Sequence, residues 1–171
     1  MKRIFVSSTF IDMNNERDAI GQIVAPAVNE LAKDYGESIG FCDLRWGIDT
    51  SNLESEEGSR KVLSVCLDEI DNCAPYMIVL LGQRYGWIPS QELIHQTLDT
   101  KPGFTLDELE KSVTALEIEY GALRNPEQLK HTLFYFASHT VHYMLSVACG
   151  KIFYFKEFMA VYRAFSRIIF S

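Results

Sequence analysis

"YMIVLLG", residues 76–82, is the stretch of sequence that decides the fold of this 171-residue chain. Every side chain from 77 to 81 is apolar, whereas a strand with one face in water alternates apolar and polar residues. A continuous apolar run is typical of a central strand in a parallel sheet, where both faces are covered. The sequence therefore predicts a sheet with helices on both faces and this strand in the middle.

Apolar runs and helical patterns alternate on both sides of the central strand. Four further runs predict strands, and they lie at residues 4–8, 38–44, 131–137 and 151–157. Between the runs, apolar residues recur at helical spacing, as they do at Ile20, Val24, Val28 and Leu31. This alternation is typical of βαβ units, so the predicted class is α/β with a parallel sheet of four to five strands.

Local signals predict where the helices begin and end. Asp12 or Asn14 can cap the first helix. Pro26 is expected to kink that helix, and Gly36 is expected to end it.

Two stretches between the predicted elements lack an apolar period. The acidic, Ser-rich residues 49–59 predict an exposed loop, after which a helix resumes near Arg60. Residues 88–104 are expected to be mostly loop, and helical signal returns at Thr105, where "TLDE" has the capping-box form.

Composition and charge exclude several classes of function. A hydrophobic content of 47% is enough to bury a sizeable core in one domain. The formal net charge of −7 argues against a nucleic-acid partner, because neutralising phosphates needs a surplus of Lys and Arg. The first strand is too short for a secretory signal or a membrane span, which predicts a cytoplasmic protein that does not bind membrane.

The four cysteines predict no metal site and no resident cofactor. They lie in apolar segments and lack the close paired spacing of zinc or redox motifs, so we expect reduced core residues. The phosphate-loop pattern GxxxxGK is also missing, which would place any NTPase motor outside this sequence.

The last part of the chain differs from the rest. We expect residues 1–136 to form the α/β domain, and residues 137–171 to be either an extension of it or the truncated edge of a larger protein. Many large apolar side chains lie close to the end of the sequence, which is also compatible with an interface.

Polar residues that follow the predicted strands form the candidate site, because ligands of open α/β sheets bind beyond the carboxyl ends of the strands. The candidates are Ser7, Ser8, Thr9, Phe10 and Asp12 after the first strand, Arg45 and Trp46 after the second, and Arg84 and Tyr85 after the third. In "RWG" and "RYG" a guanidinium that can bind phosphate stands beside a ring that can stack on a heterocycle. This combination predicts a nucleotide ligand.

Each candidate also has a structural interpretation. The two arginines can pair with Asp43, Asp12 or a nearby Glu, while the rings close the top of the core. The hydroxyls can cap the next helix, and Arg17 can form a salt bridge with Asp12 or Glu16.

Four ordered stretches carry a family resemblance, namely "IFVSSTFIDMNNERDAI", "DLRWGI", "CLDEIDNCAPYMIVLLGQRYGWIP" and "TALEIEYGAL". Together they resemble the family called domain of unknown function 4062, a TIR-like N-terminal module of NACHT- or STAND-type NTPases. The resemblance runs from about residue 2 to residue 136. It implies a flavodoxin-like three-layer sandwich, self-association and a role in innate immunity, including bacterial antiviral defence.

The resemblance also implies an activity, because some TIR-like proteins cleave NAD at the nicotinamide–ribose bond with one helix-borne glutamate. Glu117 matches that position and Val113 stands four residues earlier, where the usual residue is Trp. A single carboxylate suffices for this reaction, since nicotinamide leaves as a neutral base from a cationic pyridinium. The competing interpretation places Glu117 in a capping box that begins at Thr114.

The predicted function is binding of a nicotinamide or adenine nucleotide, with NAD as a substrate for hydrolysis and Glu117 as the catalytic residue. The alternative is a module without chemistry that signals by associating with copies of itself. A third possibility is an enzyme like the nucleoside deoxyribosyltransferases, which would use a glutamate as nucleophile.

Overall fold

The structure is a computed structural model that describes residues 1–9, 11–44, 56–98, 110–137, 142–148 and 151–155. Its sheet has six strands in the order β2-β1-β3-β4-β5-β6. The strands are β1 Lys2–Ser7, β2 Ile39–Cys42, β3 Met77–Leu81, β4 Thr132–Ala137, β5 His142–Ala148 and β6 Lys151–Phe155. The first four are parallel, and their order is that of flavodoxin-like folds, which confirms the predicted fold class.

The middle of the sheet is built on β1 and β3. Phe5 of β1 is in register with Cys42 of β2 on one side and with Met77 of β3 on the other. Ile78, Val79 and Leu80 of β3 are almost completely buried, as the apolar run predicts. In this topology the chain changes direction across the sheet between β1 and β3, which leaves a crevice at their carboxyl ends.

Helices cover both faces of the sheet. One layer contains α1 (Asn14–Ala19), a π-helical turn (Ile20–Val24) and α2 (Ala25–Lys33). The other contains α3 (Glu56–Cys73), α4 (Gln91–Leu98), which packs on α3, and α5 (Val113–Ile118) with a π-helical turn (Glu119–Leu123). The short helix α6 (Pro126–Lys130) precedes β4. Each layer closes its own hydrophobic cluster against alternate side chains of the strands.

The first helix begins differently from the prediction. Its N-cap position is Met13, which has a left-handed φ of 63° and makes no side-chain cap hydrogen bond. Asp12 does not cap because its carboxylate packs against Gly82, where an added Cβ would lie 2.6 Å from an Asp12 oxygen. Asn14 is already the first helical residue.

The end of that helix lies where the sequence predicts it, and the kink at Pro26 stays a prediction. The turn before Pro26 is π-helical, which accommodates a residue that lacks an N–H group. Gly36 has a φ of 67° and the Glu37 N–H donates to the Ala32 carbonyl at 2.9 Å, so the helix ends where expected.

Other predicted bounds were wrong. The helix α3 begins at Glu56, inside the predicted loop and before Arg60. Residues 88–104 were expected to be mostly loop, but they contain the helix α4. The Ser90 hydroxyl accepts from the Leu93 N–H at the start of this helix, and the side chains of Leu93 and Ile94 are buried. Strand β5 has no counterpart in the prediction, and β5 and β6 are antiparallel to their neighbours. The predicted capping box at Thr105 lies outside the described residues.

Within the described ranges, we find no helix whose length and apolar content would suffice to cross a lipid bilayer.

Candidate functional site

A pocket of about 410 Å³ lies at the carboxyl ends of β1 and β3. Residues that follow each of these strands line it, together with side chains from the helical layer of α3 and α5. The lining consists of Ser8, Thr9, Ile11, Val62, Arg84, Tyr85, Gly86, Trp87, Val113, Thr114 and Glu117. Four groups of residues that are distant in sequence thus meet in one cavity.

Among the described residues that line the pocket, Glu117 supplies the only carboxyl group, and it is 4% exposed. One of its oxygens, Oε2, accepts a hydrogen bond of 2.5 Å from the Ser7 hydroxyl. Burial raises the pKa of Glu117, although Ser7, Cys66 and the charge of Arg17 act in the opposite direction. An uncharged carboxyl is therefore favoured more strongly here than in water.

The start of α5 explains why Glu117 faces the pocket. Ser112 is the N-cap, and its hydroxyl accepts from the Ala115 N–H at 3.2 Å. The predicted capping box of Thr114 and Glu117 is therefore wrong, since another residue already caps the helix. Val113 and Glu117 both line the pocket because residues four apart share one face of a helix.

The three hydroxyls after β1 have three different environments. Ser7 is fully buried and donates to Glu117. The Ser8 hydroxyl accepts from Arg17 Nε at 2.5 Å and donates to the Thr9 carbonyl at 3.0 Å. Thr9 lines the pocket, and its buried Oγ1 has no hydrogen-bond partner among the described residues. Of these three groups, the Thr9 hydroxyl is the one left for a ligand.

Arg17 stabilises the residue that follows β1 and does not itself line the pocket. Its side chain is 2% exposed, pairs with Asp43 and donates from Nη2 to the Ser8 carbonyl at 3.1 Å. The predicted salt bridge to Asp12 or Glu16 was wrong, because the guanidinium reaches across to the residue after β2 instead. Ser8 and Asp43 therefore have structural contacts through Arg17.

The segment after β3 forms the rim of the pocket. Arg84 and Tyr85 are exposed, and Trp87 is 37% exposed. Gly86 has a φ of 96°, and an added Cβ would lie 3.1 Å from Thr9 Cγ2, so this position requires glycine. Neither predicted aspartate pairs with Arg84 in the described part of the chain, since Asp43 contacts Arg17 and Asp12 Oδ1 has no partner.

Of the remaining predicted residues, only Asp12 belongs to the described part of the chain. Phe10, Arg45 and Trp46 lie outside the described residues. Asp12 is half-buried beside Gly82 and does not line the pocket.

Sequence reasoning also missed pocket residues. Cys66 was expected to be a core residue only, yet its thiol acts to lower the pKa of Glu117, and Val62 one turn earlier lines the pocket. The signal was present in their spacing of four residues on α3, which places both on the face that meets α5. Thr114 was considered only as a cap, and it too lines the pocket.

The pocket therefore combines several chemical groups within one volume. A buried carboxyl and an unpartnered hydroxyl can exchange hydrogen bonds with hydroxyl groups of a ligand. A guanidinium and two aromatic rings at the rim can contact an anion and a flat ring system. A volume of about 410 Å³ is within the range of small-molecule sites.

Comparison with known proteins gives several related sequences. A TPR repeat-containing protein of Dictyostelium discoideum is 34% identical over 143 residues, which is 78% of this chain and 8% of that protein. Telomerase protein component 1 of Mus musculus is 38% identical over 114 residues, 63% of this chain and 4% of that protein. NACHT and WD repeat domain-containing protein 2 of Mus musculus is 33% identical over 88 residues, 49% of this chain and 5% of that protein.

The chain spans less than a tenth of the length of these three relatives. No solved structure matches it. The profile of one family, described as a domain of unknown function, matches residues 3–144. This chain belongs to the domain of unknown function 4062 family, some of whose members are parts of NACHT-containing proteins.

Proposed function

We propose that this domain binds a nicotinamide or adenine nucleotide in the pocket between β1 and β3 and hydrolyses NAD at the nicotinamide–ribose bond. The observation that carries the proposal is the position of Glu117, a single buried carboxyl in a cavity whose rim holds a guanidinium and aromatic rings. The family resemblance implies a catalytic glutamate at this position, which supports the proposal.

Each group in the pocket has a role in this proposal. Glu117 and the Thr9 hydroxyl accept or donate hydrogen bonds at the ribose hydroxyls. Arg84 binds a phosphate of the dinucleotide, and Tyr85 or Trp87 stacks on a base. Ser7 orients the Glu117 carboxyl through its 2.5 Å hydrogen bond and does not touch the ligand.

The chemistry needs one negative charge at the ribose. Nicotinamide leaves as a neutral base, so no acid has to protonate it, and an oxocarbenium-like ribose then takes up water and releases a proton. Burial raises the pKa of Glu117, but a cationic nicotinamide ring close by favours the ionised carboxylate. The carboxylate then stabilises the developing positive charge in a site with little water.

The first experiment measures release of nicotinamide from NAD by concentrated protein. We expect Glu117→Gln to lower the rate at least a hundredfold, because it removes the charge but keeps the size of the side chain. Glu119→Gln is the matched control, since Glu119 is two residues away and pairs with Lys111 outside the pocket lining. Equal rates for the parent protein and Glu117→Gln would remove Glu117 from the mechanism.

A second candidate function is self-association without catalysis. Several large apolar side chains near the pocket mouth are exposed, including Ile11 at 70%, Tyr85 at 57% and Ile88 at 48%. In this case Glu117 is a structural group whose hydrogen-bond partner is the Ser7 hydroxyl. Sedimentation that depends on concentration, combined with no heat of NAD binding in calorimetry, would favour this function over hydrolysis.

The larger context is also a proposal. The relatives named NACHT and WD repeat domain-containing protein 2 support a role as the effector module of an NTPase-type signalling or immune protein. Such a module would act in the cytoplasm, where NAD is available, when the attached NTPase brings several copies together.

A further inference from the structure

A second cluster of reactive side chains lies on the α3 side of the sheet, at edge strand β2. Cys42 ends β2, and Glu69 and Cys73 lie one turn apart on α3. The two sulfur atoms and a carboxylate oxygen all lie within 4.8 Å of one another, and Cys42 Sγ is 3.2 Å from Glu69 Oε2. None of these residues lines the pocket described above.

We propose that Cys42, Cys73 and Glu69 form a binding site for a divalent cation of the zinc class, with water as the fourth ligand. Thiolate and carboxylate are ligands that zinc takes in proteins. Two ligands four residues apart on a helix and one on the facing strand converge without rearrangement of the backbone.

The distances fit a tetrahedral ion. Zinc–sulfur bonds of about 2.3 Å and zinc–oxygen bonds of about 2.1 Å give ligand atoms that are roughly 3.5 to 3.8 Å apart. The Cys42 sulfur and the Glu69 oxygen, 3.2 Å apart, are slightly closer than that, and all three atoms lie within 4.8 Å. Side-chain shifts of roughly an ångström are therefore enough to accommodate the ion.

The charge and the outer contacts also fit. Two thiolates, one carboxylate and a doubly charged cation leave one negative charge, and the guanidinium of Arg3 neutralises it. Arg3 Nη2 lies 2.6 Å from Glu69 Oε2, and Asn72 Nδ2 donates to Glu69 Oε1 at 3.1 Å. Such outer partners hold a ligating carboxylate in position.

Each thiol has to lose its proton before its sulfur can bind the cation. The ion would reach the sulfurs past Glu69, whose side chain is 23% exposed. Because the thiols must lose their protons, we expect tighter binding as pH rises from 6 to 8.

The test uses the whole chain, reduced and freed of metal. Added Co²⁺ is expected to give thiolate-to-metal charge-transfer absorption at one equivalent, and Zn²⁺ to abolish this absorption. Competition with a coloured chelator then gives the zinc affinity. We expect Cys42→Ser and Cys73→Ser to weaken it at least a hundredfold and Glu69→Gln about tenfold.

Two matched variants control for loss of charge and of a thiol. Asp68→Asn removes a charge next to Glu69, and Cys66→Ser removes a buried thiol from the same helix outside the cluster; both are expected to bind zinc as the parent protein does. If the serine variants do not fold, the comparison of Glu69→Gln with Asp68→Asn still decides.

Three results would overturn the metal proposal. The first is no charge-transfer absorption with Co²⁺, and the second is equal zinc affinity in Glu69→Gln and the parent protein. The third is that the protein, purified without reductant, has lost the mass of two hydrogens through a Cys42–Cys73 disulfide and binds no zinc after reduction.

Discussion

Folding buries the carboxyl group of Glu117, and this burial makes the stability of the protein depend on pH. Its pKa is raised from 4.5 mainly by burial. At pH values between 4.5 and the higher pKa of Glu117 in the folded state, the folded chain binds more protons than the unfolded chain. The free energy of unfolding that this group contributes therefore falls as pH rises through that interval.

We predict that Glu117→Gln increases the free energy of unfolding at pH 7 by on the order of 1 kcal/mol, since the amide needs no proton to remain neutral. The gain is expected to shrink toward pH 4, where the carboxyl is protonated in both states. Urea unfolding curves at the two pH values measure it. A variant that is less stable than the parent protein by the same amount at both values would contradict the burial argument.

Thr9 allows a second prediction at the scale of one side chain. Its buried Oγ1 has no partner among the described residues, and an unsatisfied buried hydroxyl costs roughly 1 to 3 kcal/mol. We expect Thr9→Val to leave the melting temperature unchanged or higher and to weaken nucleotide binding about tenfold in calorimetry. Thr9→Ser keeps the hydroxyl and is the control. Unchanged affinity in Thr9→Val would exclude this hydroxyl from ligand contact.

For the three hydroxyl residues Ser7, Ser8 and Thr9, the sequence predicts the position but not the contacts of each side chain. The position of these hydroxyls at a strand end followed from the apolar run before them. Their separate roles did not, because Glu117, Arg17 and the cavity that decide those roles come from other elements. Sequence also could not distinguish a cap from a pocket role for Glu117, since both place it in the first turns of a helix.

At the scale of elements, the two π-helical turns in the described part of the chain each contain a glycine, and the two glycines have different environments. A Cβ at Gly121 would lie 2.8 Å from Met77 Sδ and 2.9 Å from Ile70 Cγ2, where α5 approaches the sheet and α3. A Cβ at Gly21 would meet nothing within 4 Å. Gly121 thus permits close packing, whereas Gly21 is exposed.

We predict opposite effects of alanine at these two positions. Gly121→Ala is expected to destabilise the protein by about 1 to 3 kcal/mol through overpacking. Gly21→Ala is expected to be neutral or to stabilise by up to about 1 kcal/mol, because alanine favours helical structure. Chemical denaturation measures both variants under the same conditions. Equal changes would mean that the contact with Met77 and Ile70 does not limit packing.

The sequence predicted the existence and type of the helices and strands that have strong periodic signals. It did not predict the residues at which several of them begin or end. The apolar run of β3 and the stripe of α3 are set by burial, which a sequence shows directly. The helix α4 was missed because its signal is a short pair, Leu93 and Ile94, inside a stretch with Pro89 and Pro102. Strand β5 was missed because its pairing with β4 depends on partners that are close only after folding.

At the scale of the whole molecule, topology explains why the candidate groups meet. The order β2-β1-β3-β4 makes β1 and β3 neighbours, so segments about 75 residues apart in the chain end side by side. That convergence could be predicted from the sequence, because it follows from fold class alone. The cluster of Cys42, Glu69 and Cys73 could not, since a search for closely spaced cysteines misses ligands that separate elements supply.

The partial exposure of Trp87 at the pocket rim gives the protein a built-in optical reporter. The chain has only two indoles, Trp46 and Trp87, so its ultraviolet emission is dominated by few sources. A heterocycle that stacks at the rim would quench and shift this emission. Screening of small-molecule libraries can therefore begin with unlabelled protein in a fluorimeter.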